Sequence, residues 1–115
     1  MMYKHSRVIP VNCIVDTGSN YCLFRADLAK PIGIDITKGK EYVLGGISRQ
    51  IKETFYFHSV KLVIAGSTIE TNVGFSPHLP VAGVLGFNGF FDNFLVTFDA
   101  TAEPPAFEVQ RIQKQ

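Results

Sequence analysis

The sequence has no tryptophan, only two cysteines and a low share of charged residues. Two cysteines are too few for the disulfide framework of a small secreted protein. The eleven Lys and Arg residues are scattered and nearly balanced by ten acidic residues, so no basic stripe for nucleic acid is present. We therefore expect reduced cysteines, a cytoplasmic location and no nucleic-acid partner.

Long apolar runs are also missing. None approaches the roughly 20 residues that a membrane-spanning helix needs, so we expect no membrane segment. Residues 1–7 lack the apolar core of a secretory signal peptide. We expect that the protein stays where it is made or that the chain is a piece of a longer one. At 115 residues, the chain predicts a single domain over residues 1–115.

Short Val, Ile and Phe runs separated by glycine predict an all-β fold with one or two short helices. Ten phenylalanines supply the apolar volume of a core. The helices are expected at 25–30 and 88–94, and a brief strand or extended loop at 34–37. The strands are expected at 7–15, 21–24, 40–57 (a hairpin), 60–64, 68–73, 81–86, 95–98 and 107–112.

Residues 11–19 carry the strongest chemical signal. An apolar strand runs directly into Asp16, which is followed by Thr17, Gly18 and Ser19. A carboxylate at the edge of an apolar interior needs partners, and a glycine two residues later lets backbone N–H groups approach it. The alternative is an ordinary turn, because Asp and Gly both favour turns.

Two further segments are informative. The hairpin at 40–57 has a glycine tip and polar flanks, which suits a movable cover over a site but also an ordinary surface hairpin. The segment 83–86, Gly-Val-Leu-Gly, is a compact apolar strand with glycines where a bulky side chain would collide with a neighbour.

In this order, the three segments resemble the retropepsin family, the single-domain aspartic proteases of retroviruses and their bacterial relatives. The resemblance spans residues 8–98, and the short helix that ends at 28–33 is more similar to the bacterial branch. It implies a closed acid-protease barrel with a flap hairpin, active as a two-fold homodimer.

The resemblance also implies roles for the first motif. Asp16 would be the catalytic acid, and Thr17 would form a hydrogen bond across the dimer interface. Gly18 would lie against the substrate backbone. Ser19 would form a hydrogen bond with the outer oxygen of Asp16.

For the other two motifs, the resemblance implies contacts with substrate. The flap tip Leu44, Gly45, Gly46 and Ile47 would fold over a bound peptide. Val84 would line a pocket for a substrate side chain. No metal or other cofactor is expected.

Peptide hydrolysis of this kind needs two carboxylates, and the chain has one Asp-Thr-Gly. The expected activity is therefore that of an aspartic endopeptidase, a homodimer that acts on a peptide or protein substrate. In the family the chain termini interleave, so residues 1–7 and 106–112 are candidates for the interface. The alternative is a non-catalytic dimerisation or peptide-binding module in which Asp16 is a turn residue.

One feature departs from the family. Many retropepsins carry an acidic residue soon after the Asp-Thr-Gly turn and an arginine after the bracing glycine, and these two pair near the interface. Here Asn20 and Tyr21 follow the turn and Phe87 follows Gly86, so this ion pair cannot form.

Overall fold

The computed structural model describes residues 2–4, 7–45, 52–104 and 106–112. This part of the chain is mostly β-structure, which confirms the all-β prediction. Its strands are β1 (Met2–Lys4), β2 (Arg7–Ile9), β3 (Cys13–Val15), β4 (Leu23–Arg25), β5 (Lys40–Gly45), β6 (Lys52–Ile64), β7 (Ser67–Ser76), β8 (Gly83–Leu85), β9 (Phe94–Asp99) and β10 (Ala106–Arg111). Its helical segments are the one-turn 3-10 helices Ala26–Leu28, Lys30–Ile32 and Ile36–Lys38.

One large sheet holds eight of the strands in the order β2-β1-β6-β7-β4-β8-β3, with β5 paired to β6. β9 and β10 form a separate two-stranded sheet. The large sheet curls into a half-barrel. Within the described residues, β2 and β3 are the two edge strands of this sheet and do not pair with each other. The expected closed barrel is therefore a half-barrel in this part of the chain.

Two hairpins dominate the large sheet. β5 pairs antiparallel with β6 from Lys40 opposite Phe57 to Gly45 opposite Lys52, which confirms the paired strands of the predicted hairpin. Its tip, including Gly46 and Ile47, lies outside the described residues. β6 and β7 are joined by Ala65 and Gly66, with φ of 50° and 78°. This is the two-residue turn that matches strand twist, and glycine adopts its positive φ readily.

Phenylalanine fills the core. Phe24 on β4 and Phe75 on β7 are register partners with ring centroids 6.1 Å apart. Phe90 stacks on Phe94 at 5.5 Å, and all four rings are fully buried. These large rings pack the concave side of the curled sheet beneath β4 and β7.

The predicted helix at 25–30 is wrong in type. Its residues form two short 3-10 turns, and Gly33, in the left-handed region at φ 84°, ends the second. The predicted strand or loop at 34–37 is instead a 3-10 turn. Asp35 caps this turn, because its Oδ1 accepts the Thr37 N–H at 3.1 Å.

The predicted helix at 88–94 is a series of hydrogen-bonded turns. The Phe91 N–H donates to the Gly86 carbonyl and the Phe94 N–H to the Phe90 carbonyl. Gly89, at φ 103°, interrupts the helical backbone, so no regular helix forms.

The two terminal segments are already paired within the chain. β1 lies between β2 and β6, so both of its edges are occupied. β10 pairs with β9 along its whole length, from Ala106 to Arg111. Within the described residues, both edges of β1 are therefore occupied, whereas β2 and β10 each keep one unpaired edge. No helix in the described part of the chain is both long and apolar enough to span a membrane.

Candidate active site

Asp16 lies at the point where β3 ends and the chain turns. Its N–H donates to the Leu85 carbonyl at 3.0 Å, which ties the start of the turn to β8. Its Oδ1 accepts the Gly18 N–H at 2.8 Å, and its carbonyl accepts the Ser19 N–H at 3.2 Å. The side chain is exposed. The turn therefore presents one carboxylate, held by a backbone donor, at the surface of the half-barrel.

Gly18 leaves room for that carboxylate. A Cβ at this position would lie 3.2 Å from Asp16 Oδ1, which is tighter than an ordinary contact. Thr17 between them is exposed. The backbone of Gly18 is thus both the donor to Asp16 and an open surface beside it.

Ser19 differs from its expected role. Its Oγ donates to the Tyr21 carbonyl at 2.7 Å, so its single hydroxyl proton is not directed at Asp16. The Ser19 hydroxyl instead stabilises the end of the turn, at Tyr21.

β8 braces the turn from its position next to the edge strand β3. It lies between β3, with which it runs parallel, and β4, with which it runs antiparallel. Directly after it, the Phe87 N–H donates to the Ser19 carbonyl at 2.8 Å. The Asn88 N–H donates to the Asn20 carbonyl at 2.9 Å. Two backbone hydrogen bonds therefore connect the segments that the family joins with an ion pair.

A pocket of about 450 Å³ lies against the turn. It is lined by residues 18–21, 23, 43, 44, 53, 55 and 78–80. Leu44, which the resemblance assigns to the flap tip, lines this pocket together with Gly18 and Ser19. Gly45 ends β5 next to it. Val84 is buried on β8 and is not among the residues that line this pocket, so the structure does not place it where the resemblance implied.

Sequence reasoning missed the polar group at the wall of this pocket. Ser76 is fully buried, and its Oγ donates to Glu53 Oε1 at 2.7 Å. The same Oγ accepts the His78 N–H at 3.3 Å. The sequence signal that could have revealed Glu53 is the alternation along β6. Glu53 lies two residues before the buried Phe55, so both side chains lie on the same face of the strand. No sequence pattern indicated that Ser76 would be the hydrogen-bond partner of Glu53.

Aromatic rings join the base of the hairpin to the turn. Phe57 on β6 contacts Tyr21 edge-on at 5.0 Å and Tyr42 on β5 edge-on at 5.2 Å. Tyr21 also forms a bridge with Asn88 after β8. The base of β5 and β6 is therefore in direct contact with the loop that follows Asp16.

The family comparison spans these same elements. The sequence model of the family described as Aspartyl protease matches residues 6–88, which include Asp16, the β5–β6 hairpin and β8. The chain belongs to the aspartyl protease family. This confirms the predicted resemblance to the retropepsin-like proteases and indicates aspartic protease activity. No curated protein and no solved structure gives a significant match to this aspartyl protease chain.

Proposed function

We propose that the chain is an aspartic endopeptidase that works as a homodimer, with one Asp16 from each subunit. The observation that supports this most directly is the turn itself. Asp16 is exposed, its Oδ1 accepts the Gly18 N–H at 2.8 Å, and its backbone is bonded to β8. A carboxylate presented this way on a rigid strand end can face a second one across a two-fold axis.

The other aspartates of the described chain are engaged elsewhere. Asp27 pairs with Arg25, with 2.8 Å between Oδ1 and Nε. Asp35 and Asp99 accept hydrogen bonds from the threonines two residues later, and Asp92 accepts the Gly89 N–H. None of them lies in an Asp-Thr-Gly turn. The second catalytic carboxylate therefore has to come from a second copy of the chain.

Two carboxylates about 3 Å apart cannot both ionise, so they share one proton, as the aspartic proteases illustrate. The ionised carboxylate takes a proton from the attacking water. The protonated carboxylic acid donates to the carbonyl oxygen of the scissile peptide bond. Activity should be highest at mildly acidic pH and lost when the shared proton leaves.

The pocket beside the turn supports an extended peptide as substrate. Gly18 presents open backbone on one side, and Leu44 on β5 lies on the other. An extended peptide between them would form main-chain hydrogen bonds and place alternate side chains in pockets. Gly46 and Ile47 would close over the peptide as a flap.

The surface also supports a second copy. Ile14, on the strand that carries Asp16, and Phe87, directly beyond β8, are both about half exposed, at 49% and 56%. The exposed large apolar side chains are Val8, Ile14, Tyr42, Val43, Phe87, Leu95, Phe98 and Ile112. Apolar surface beside a carboxylate that needs a partner is what a homodimer would cover.

The test is cleavage of an unfolded protein between pH 3 and pH 7 by the wild type, Asp16→Asn and Asp27→Asn. We expect the wild type and Asp27→Asn to cut at similar rates. Asp16→Asn should lose at least about a thousandfold in rate, because one carboxylate cannot perform both proton transfers. Circular dichroism verifies that each variant is folded.

A folded, dimeric wild type that cuts nothing would contradict the proposal, as would Asp16→Asn that cuts at the wild-type rate. The first of these results would favour a peptide-binding module on the same fold.

A further inference from the structure

The pocket beside the Asp16 turn contains one carboxylate among its lining side chains, that of Glu53. Glu53 is the second residue of β6, directly opposite Leu44 on β5, and it is half-buried. The turn contributes Gly18 and Ser19 to the same pocket. A substrate side chain that enters this pocket would therefore meet the carboxylate while its backbone lies next to the catalytic turn.

Glu53 is held in place by a buried hydroxyl. Ser76, with no exposed surface, donates to Glu53 Oε1 at 2.7 Å and accepts the His78 N–H at 3.3 Å. A buried serine hydroxyl is costly unless it is bonded, and here both of its bonds keep the carboxylate and the following loop in position. The orientation of Glu53 is thus built into the fold.

The charge of Glu53 has no cationic partner in the described chain. No Lys or Arg among the described residues forms an ion pair with it, and Oε1 is its one hydrogen-bonded oxygen there. The remaining pocket wall is largely apolar near the carboxylate and includes Leu23, Phe55 and Leu79. Tyr21 and His78 are the other titratable side chains that line it.

We propose that Glu53 makes this pocket select a lysine or arginine side chain of the substrate. The aliphatic stem of such a side chain would pack on Leu23, Phe55 and Leu79, and its cationic end would pair with the carboxylate. An apolar side chain of equal length would fill the same space but leave Glu53 desolvated without a partner. This inference rests on the proposed endopeptidase function and adds the class of residue that it recognises near the scissile bond.

The test uses one cleaved peptide in which Lys, norleucine or Glu replaces each of the eight residues around the cut, one at a time. The enzymes are wild type, Glu53→Gln and Glu70→Gln. Gln can still accept the Ser76 hydroxyl, so the fold of the pocket is kept. Glu70 is the matched control, because its Oε1 also accepts a serine hydroxyl, from Ser59 at 3.1 Å, but on exposed β7 outside the pocket.

At one substrate position, we expect wild type and Glu70→Gln to prefer Lys over norleucine by about fivefold or more in kcat/KM, the size of a partly screened ion pair. Glu53→Gln should reduce that ratio to about one. A wild type that cuts without preferring Lys at any position would overturn the proposal. A preference that Glu53→Gln retains would also overturn it.

Binding separates this inference from the proposed catalysis. If no peptide is cut, fluorescence anisotropy at pH 7 compares the Lys and norleucine peptides on the same three proteins. Tighter binding of a Lys peptide that depends on Glu53 would support the pocket assignment even though the endopeptidase proposal had failed. Equal binding of both peptides would overturn it.

Discussion

Cys13 lies on β3 and Cys22 directly precedes β4, the two strands that flank β8, and each thiol is close to a glycine at one end of β8. Cys13 is the register partner of Gly83, where an added Cβ would come 2.7 Å from its Sγ. Cys22 is fully buried and accepts the Gly86 N–H at 3.5 Å. Burial raises the pKa of both thiols, and that of Cys22 to about 11, since the Gly86 N–H offsets only part of the effect. Both cysteines therefore act as small core side chains, as their sequence context predicts.

The raised pKa of Cys22 makes stability depend on alkaline pH. In the unfolded chain the thiol loses its proton near the ordinary value of 9.0, whereas in the folded chain it keeps the proton until about pH 11. The stabilisation is complete below pH 9 and is lost as pH rises from there to about 11. We expect the free energy of unfolding of the wild type to fall by about 2 kcal/mol more than that of Cys22→Ala across this range. Urea unfolding at pH 8, 9, 10 and 11 measures the difference, and equal slopes in the two proteins would contradict the prediction.

At the scale of elements, the seam between β8 and the catalytic turn is packed backbone against backbone. A Cβ on Gly86 would lie 2.2 Å from the Tyr21 carbonyl oxygen and 2.6 Å from that of Ser19. Both oxygens belong to the loop that follows Asp16, and Ser19 also receives the Phe87 N–H. The geometry of the turn thus depends on the absence of a side chain at Gly86, directly after β8.

We expect Gly86→Ala to destabilise the fold by about 2–3 kcal/mol, because a backbone oxygen has to move to admit the methyl group. Cleavage activity should fall by more than the unfolded fraction explains, since the displaced loop positions Asp16. Gly66→Ala is the control: it is strained at φ 78° but has nothing within 4 Å, so about 1 kcal/mol is expected. Urea unfolding measures the loss of stability in each variant. If Gly86→Ala lowers the free energy of unfolding no more than Gly66→Ala does, the prediction of tight packing at Gly86 is wrong.

For the whole molecule, the half-barrel leaves the Asp16 carboxylate and several apolar side chains at the surface. The β9–β10 sheet stands apart from the large sheet. Leu95 on β9 is 57% exposed, while its neighbours Phe94 and Val96 are buried or half-buried on the other face. We infer that this outer face contributes to the contact of the proposed homodimer.

Leu95→Glu should therefore weaken dimerisation by about tenfold or more, since a charge would have to be buried in the contact. Sedimentation over a concentration series measures the dissociation constant, and specific activity should rise with concentration as dimers form. Thr68→Glu, at an exposed residue of β7 that is not among these apolar side chains, is the matched control and should leave the dissociation constant unchanged. If Leu95→Glu leaves the dissociation constant unchanged, the inference that this face contributes to the dimer contact is wrong.

Much of the architecture was predictable because it depends on local patterns. Alternating residues predicted the β5–β6 and β6–β7 hairpins, and the apolar run before Asp16 predicted the strand that carries it. The segment 25–30 was mispredicted in type, because its residues form 3-10 turns in place of a continuous α-helix. The one or two helical turns expected at 88–94 are present only as irregular hydrogen-bonded turns, since Gly89 adopts φ 103°, which a sequence pattern does not reveal. The Ser19 hydroxyl was misassigned because its acceptor, the Tyr21 carbonyl, is chosen by the shape of the turn.

The sequence by itself determined where the carboxylate lies along the chain: at the end of an apolar strand, in a turn with glycine two residues later. Those features act over a few neighbouring residues and need no tertiary information. Only the tertiary structure decided what surrounds Asp16. Ser76 and Glu53 are 23 residues apart, and Gly86 packs on Tyr21 across 65 positions, so β-strand pairing alone brings them together. Val84, assigned to a pocket by resemblance, is buried on β8, and the position of β8 between β3 and β4 is set by pairing with distant parts of the chain.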